Sequence, residues 1–165
     1  MATRKLFTLV FLKRQGSVLL GLKTRGLGKG LWNGFGGKIE DGESVVNCAR
    51  RELREECGLM ASDLKQLGVV KYEADFEECA SIVHVFTSSK FEGEEKASEE
   101  MNPIKWYKYH DIPYMQMWPD SVSWYPLMLQ EKFFSAHVIY STESTIRESI
   151  IQEYGSINNA LKLAQ

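Results

Sequence analysis

The chain has 165 residues, 44% of them hydrophobic and 25% charged, with a formal net charge of −2. This length favours one domain that buries about 70% of its unfolded surface without staples, and the composition is that of a soluble globular protein. No run of clustered Lys and Arg exists, which argues against a nucleic-acid polymer as partner, and no apolar stretch approaches the roughly 20 residues that span a bilayer.

Three cysteines, Cys48, Cys57 and Cys79, form no CxxC pair. Their odd number fits reduced thiols in a reducing compartment. The stretch Met1–Lys5 carries two basic residues but is followed by no signal-peptide core. A cytoplasmic protein is the expectation, with mitochondrial and nuclear locations left open.

Leu6 to Leu12 and Val18 to Leu22 are short apolar runs rich in β-formers, separated by a turn at Arg14–Ser17, and read as a hairpin. Residues 24–37 hold six glycines in fourteen positions and must be loop or tightly turned backbone. Asp41–Gly42 is a turn signal, and Ser44 is a suitable N-cap. Residues 45–58 read as a helix: Val46, Ala49, Leu53 and Cys57 share one face, and Gly58 stands where a left-handed cap is wanted. Strands are expected over residues 69–73, 82–87, 104–109 and 137–140, with an exposed acidic loop over 90–102 and an aromatic turn between Pro113 and Pro119. Residues 122–133 read as a helix with Pro126 in its first turn. Residues 145–154 fit strand or helix, and 156–164 lean helical. The element order indicates a mixed α/β sandwich.

The segment from Gly37 to Leu59 carries the chemistry. Glu52, Glu55 and Glu56 stand at i, i+3 and i+4, so they share one helical surface and repel. A divalent cation would convert that repulsion into ligation. Oxygen-only ligands suit Mg²⁺ or Mn²⁺, and with no His or Cys beside them zinc does not fit. A Glu-rich helix face is usually just solvated. Here, however, the cluster borders the apolar stripe through Glu56 and follows a glycine-dense loop able to present backbone N–H groups to phosphate.

This segment resembles the Nudix box. Gly37, Glu43, Arg51, Glu52, Leu53, Glu55, Glu56, Gly58 and Leu59 fill every fixed position of that pattern. The resemblance implies an α/β/α sandwich with a catalytic loop–helix–loop, and metal-assisted attack of water on a diphosphate linkage. It implies that Glu52, Glu55 and Glu56 hold Mg²⁺, with the Gly36 carbonyl and Glu100 completing the shell. It also implies that Arg51 and Glu43 brace the loop, and that Lys38 meets a phosphate.

The resemblance extends over about the first 140 residues, through Thr8–Val10, Val18–Gly21, Trp32–Lys38, His84–Phe86, Glu99–Met101 and Met117–Asp120. These stretches are similar to Nudix enzymes that hydrolyse oxidised purine nucleoside triphosphates, such as 8-oxo-dGTP, to the monophosphate and pyrophosphate, cleansing the nucleotide pool. Carried over by position, Asn33 bonds the base edge, Trp118 stacks on the ring, and Asp120 reads the Watson–Crick side beside Pro119 and Ser121. Thr8, Lys23, Phe35, Gly36, Gly37 and Tyr72 would complete the substrate site. Ser121 replaces a second Asp of that pattern, Leu27 and Tyr72 replace phenylalanines, and Ser81 replaces a methionine. The expectation is a monomeric single domain over residues 1–165, with 155–165 a C-terminal extension, acting on a small nucleotide with neither membrane nor nucleic-acid polymer as partner. The alternatives are a Nudix hydrolase of methylated or normal purine triphosphates, and a non-catalytic nucleotide-binding module.

Overall fold

The computed structural model describes residues 3–165; Met1 and Ala2, the start of the basic stretch Met1–Lys5, lie outside the described residues. β1 (Arg4–Arg14) and β2 (Ser17–Lys23) form the expected hairpin across a turn in which Gly16 has φ 73°. The two strands pair only next to the turn, through Lys13↔Val18 and Arg14↔Ser17, and then part. Beyond that point β1 runs parallel to β6 (Ala80–Ser88), while β2 pairs with β3 (Trp32–Asn33) and β8 (Met101–Lys108). The wedge opened between β1 and β2 receives the glycine-rich segment that follows β3.

The rest of the mixed sheet is built on β6. β5 (Lys65–Ala74) pairs antiparallel with β6 and parallel with β9 (Phe133–Thr142), and β10 (Thr145–Tyr154) closes the far edge antiparallel to β9. A small ribbon of β4 (Leu59–Ala61) and β7 (Phe91–Gly93) lies apart from it.

Side-chain alternation along β1 divides the core. Val10 and Leu12 pack with Phe35, Ala49, Leu53 and Cys57 under helix α1 (Val45–Cys57). Leu9 and Phe11 face the opposite way, toward Trp124, Tyr125 and Met128 of helix α2 (Ser121–Leu129). The sheet therefore lies between the two helices, as the expected sandwich requires. α1 begins where Ser44 Oγ accepts the Asn47 N–H at 3.2 Å and ends at Gly58, whose φ of 76° lets its N–H reach the Arg54 carbonyl. Each signal read from the sequence is thus used.

Two expectations change, and one open alternative is decided. Pro126 is the sixth residue of α2, and the helix stops at Leu129, because Phe133 already belongs to β9. Residues 145–154 are a strand rather than a helix. The acidic stretch 90–102 contributes β7 and the start of β8. The tail adopts a short helix α3 (Ile157–Ala160) and a 3-10 turn (Leu161–Ala164) packed on β5, β9 and β10. Its end is tied back to β1 by Arg4, which donates to the Ala164 and Gln165 carbonyls.

Candidate active site

Gly34 to Ile39 runs along β1 as a broken strand. Val10 and Phe35 exchange N–H···O bonds of 2.6 and 3.0 Å, the Thr8 N–H meets the Gly37 carbonyl at 2.9 Å, and the Ile39 N–H meets that of Leu6 at 2.9 Å. Two glycines are dictated by this close approach. A Cβ on Gly36 would fall within 2.6 Å of the Thr8 carbonyl carbon, and one on Gly37 would fall 2.5 Å from the carboxyl carbon of Glu52. The loop is therefore pressed between the β1 backbone on one side and the carboxylates of α1 on the other.

Three groups dominate the helix side. Glu56 is 3% exposed, and its Oε1 accepts the Gly36 N–H at 3.0 Å. Burial pushes its carboxyl up to about 8; the Gly36 bond and Lys23 oppose the rise, and Glu52 and Glu100 add to it. Burial likewise raises Glu52, partly offset by Arg51. Arg51 is the hub: it forks onto Glu43 at 2.7 and 3.0 Å and reaches Glu52 at 2.8 Å and Glu55 at 3.4 Å. Its fork, helped by the Glu40 N–H, holds Glu43 down at about 2. The expected brace between Glu43 and Arg51 is present. Arg51 also relieves part of the carboxylate repulsion that the sequence reading left to a cation alone.

Glu100 joins the cluster from the loop before β8. Lys23 Nζ lies 3.3 Å from one of its oxygens and an Arg25 nitrogen 3.2 Å from the other. Burial opposes ionisation, but these two cations outweigh it and keep Glu100 below its ordinary value. Arg25 was not singled out from the sequence, where it is one cation in a glycine-rich loop. Lys38 is exposed beside the loop, and Glu55 is exposed on the outer side of α1.

Among the described residues, no three His, Cys, Asp or Glu side chains converge into a ready-made metal cage. The donor set nevertheless fits a hard divalent ion. It is all oxygen: Glu55 and Glu100 raise the proton affinity of Glu52, and Glu52 and Glu100 that of Glu56, the mark of a site short of positive charge.

A second polar cluster lies on the α2 face. Asp120, 1% exposed, accepts three hydrogen bonds: from Tyr72 Oη at 2.5 Å and Trp124 Nε1 at 2.7 Å on Oδ2, and from Tyr140 Oη at 2.5 Å on Oδ1. Asn33 Oδ1 accepts from the Gly34 N–H at 2.8 Å and from Tyr125 Oη at 2.7 Å. Trp118 packs edge-on against Tyr140 with ring centroids 6.1 Å apart, and the Gly28 backbone passes close to its indole. Asn33, Tyr72, Trp118, Asp120 and Ser121 are thus brought to one region, with Pro119 exposed at its edge and Leu27 78% exposed on the glycine loop. Tyr125, Tyr140 and Trp124 were missed from the sequence because a buried aromatic carries no polar signal there.

Two expected substrate residues lie elsewhere. Thr8 shares the parity of Val10, so its side chain turns under α1, where Oγ1 meets Cys48 Sγ at 3.3 Å. Phe35 is fully buried in the core below α1. The strand alternation that places Leu9 and Phe11 on the α2 side sends Thr8 and Val10 to the α1 side.

Comparison with known proteins agrees with this geometry. Residues 3–128 match the family model described as the NUDIX domain. The chain is 44% identical over 153 residues to the oxidized purine nucleoside triphosphate hydrolase of Danio rerio, covering 93% of this chain and 97% of that protein. It is 40% identical over 156 residues to the Mus musculus protein of the same name, covering 94% and 99%. Similarity thus runs past the first 140 residues. Among solved structures, a MutT protein from Bacillus halodurans shares the fold with a TM-score of 0.79 at 21% identity, covering 90% of this chain and 97% of that one. A MutT NUDIX hydrolase from Burkholderia pseudomallei gives a TM-score of 0.64 at 25% identity, covering 67% and 88%.

Proposed function

This chain belongs to the Nudix family, and we propose that it is a pyrophosphohydrolase that cleaves oxidised purine nucleoside triphosphates, 8-oxo-dGTP among them, to the monophosphate and pyrophosphate. The observation that carries this reading is the near-full-length identity to the two oxidized purine nucleoside triphosphate hydrolases. The pairing of a carboxylate cluster with an aromatic pocket on one loop supports it. A divalent metal goes with the family, and magnesium is the ion we assign.

Glu52, Glu56, Glu100 and the Gly36 carbonyl are the groups we assign to hold the ion, with Glu55 at the edge of the set. When bound, the ion neutralises phosphate charge and lowers the proton affinity of a water. The chain's own residues do the rest. Glu56 Oε2, the oxygen that Gly36 leaves free, is the proton acceptor buried beside the reacting phosphate. Arg51 and Glu43 keep the loop on the helix. Lys38 and Lys23 meet phosphate oxygens, and Arg25 steadies Glu100. Trp118 supplies stacking, which tolerates any base, while Asn33 and Asp120 supply the polar contacts that choose among bases.

Residues 1–165 form one domain in this reading. β9 and β10 lie beyond the matched segment yet pair into the same sheet. No helix among the described residues is long and apolar enough to cross a membrane; a monomer in the cytoplasm is our proposal. A binding module without catalysis has no use for a buried carboxylate held against its preferred charge, so we favour the enzyme.

The test is product analysis with magnesium over oxidised, methylated and normal purine triphosphates. Pyrophosphate should appear in one step, fastest from an oxidised purine. Release of orthophosphate with a nucleoside diphosphate would refute the mechanism, and preference for a methylated or normal purine would move the substrate to that class.

A further inference from the structure

A carboxylate offers about four lone-pair sites and, once ionised, no donor. In Asp120 three are filled, two on Oδ2 by Tyr72 and Trp124 and one on Oδ1 by Tyr140. Burial, then the negative charge of Asp120, holds the phenol protons of Tyr72 and Tyr140 in place, and an indole N–H only donates. All three neighbours therefore point protons at the carboxylate. A proton on Asp120 could sit only on the remaining Oδ1 lone pair, and three hydrogen bonds donated to the charged form weigh against it. One lone pair, on Oδ1, remains for a ligand. Asn33 is fixed in the complementary sense: its oxygen is taken by Tyr125 and the Gly34 N–H, leaving its NH₂ group to donate.

We propose that Tyr72 and Tyr140 are specificity-determining residues, which by donating to Asp120 hold it as an acceptor only, so that the pocket takes purines bringing an N–H to it and rejects purines whose edge carries acceptors alone. This rests on reading Asn33, Trp118 and Asp120 as the base pocket. Sequence alone shows Tyr72 only as an aromatic of the expected substrate site. The structure adds a hydroxyl aimed at the one carboxylate of the pocket, and with it a constraint on what that carboxylate can do. A carboxyl relieved of one donor binds a proton more readily, and a protonated Asp120 can donate to a carbonyl or bare ring nitrogen.

The test compares kcat/KM for 8-oxo-dGTP, whose edge offers N1–H and an amino group, with that for 6-methoxypurine deoxynucleoside triphosphate, whose edge offers only acceptors. Wild type, Tyr72→Phe and Tyr140→Phe are measured; the second variant serves if the first does not fold, since each removes one donor and little volume. The preference for 8-oxo-dGTP should fall about tenfold in a folded variant, the scale of one buried hydrogen-bond partner. A purely structural role would slow both substrates together, so a preference unchanged within about threefold overturns the clamp while leaving the base pocket standing. Wild-type enzyme that turns over normal purine triphosphates but not 8-oxo-dGTP overturns the pocket reading itself, and the clamp with it.

Discussion

Glu56→Gln should make the metal-free protein more stable while removing its activity. Glu56 is almost wholly buried and titrates near 8 instead of 4.5, chiefly through burial. A carboxyl raised in the folded state is no burden below its unfolded value, where both states hold the proton. As pH rises from 4.5 to about 8 the unfolded chain releases its proton and the folded chain does not, so stability is lost across that window. At pH 7.5 the difference spans roughly 3 pH units, or about 4 kcal/mol at 1.36 kcal/mol per unit. Glu52 and Glu100 shift their own ionisation when Glu56 is charged and so share the cost, leaving about 2 kcal/mol as the expected net effect. Glutamine cannot ionise, and its amide oxygen still accepts the Gly36 N–H, so it recovers this energy without losing the bond. At about 2–4 °C per kcal/mol for a chain of this size, Glu56→Gln in EDTA should melt several degrees above wild type at pH 7.5. The gap should close near pH 4.5. Magnesium should raise the wild-type melting temperature and move that of the variant much less. Thermal scans from pH 4.5 to 8.5, with and without magnesium, decide it. A variant that melts with or below wild type throughout, in EDTA, refutes the reasoning, because Glu56 would then be ionised at no cost.

Further perturbations separate the parts of the site. Gly37→Ala places a Cβ against the Glu52 carboxylate; kcat should fall by about 100-fold or more, with a smaller change in KM, and a variant with near-normal kcat would show that Glu52 can move freely. Trp118→Ala should raise KM for the nucleotide about 10- to 100-fold, from roughly 1–3 kcal/mol of stacking, whichever purine is used; a loss confined to one base would assign the reading of the base to Trp118. Ser121 is buried directly after Asp120, so Ser121→Asp, which adds a second carboxylate there, should change the ratio of kcat/KM between 8-oxo-dGTP and 2-hydroxy-dATP. An unchanged ratio in a folded variant removes Ser121 from base choice.

What the sequence revealed depended on periodicity and on local caps. α1 was legible because its apolar stripe, Ser44 and Gly58 all agree; the glycine-rich stretch was legible only in part, since Trp32–Asn33 pair with β2 as β3 and the residues after them run along β1. β10 was ambiguous because an edge strand exposed on most of its length needs no alternation; Ile146, Ile150 and Ile151 fit either period. α2 was drawn too long because Phe133 is apolar in helix and strand alike, and only its pairing with Tyr154 decides the matter. In the site, acidic spacing marked Glu52, Glu55 and Glu56, whereas the pairing of Arg51 with Glu43 came from the resemblance to the Nudix box. The parity of Thr8 and the burial of Phe35 depend on which face of β1 meets α1, which no local signal carries. Arg25, Tyr125 and Tyr140 become functional only through partners distant in the chain.

The parting of β1 from β2 explains how Asn33 and the glycines that meet the α1 carboxylates come to lie on one short stretch of chain. Had the hairpin continued to pair, β1 would present no free edge to residues 34–39. Because it parts after Lys13↔Val18, that edge takes the loop in near-extended form, with Val10↔Phe35 and Phe7↔Lys38 opposed. Extended backbone rises about 3.3 Å per residue, so Asn33, in the proposed base pocket, stands about 13 Å from Gly37, where Glu52 rests. Gly36 between them is bonded to Glu56, and Lys38 follows. In the proposed function, the separation between base contact and phosphate groups is therefore set by backbone pairing to a central strand rather than by flexible side chains. A ligand too short to bridge it could occupy either end but not both. Positioning of this kind lowers the entropic cost of reaction, and it makes the glycines of the loop as necessary to turnover as the glutamates, since any side chain at Gly36 or Gly37 must push the loop away from β1 or from Glu52.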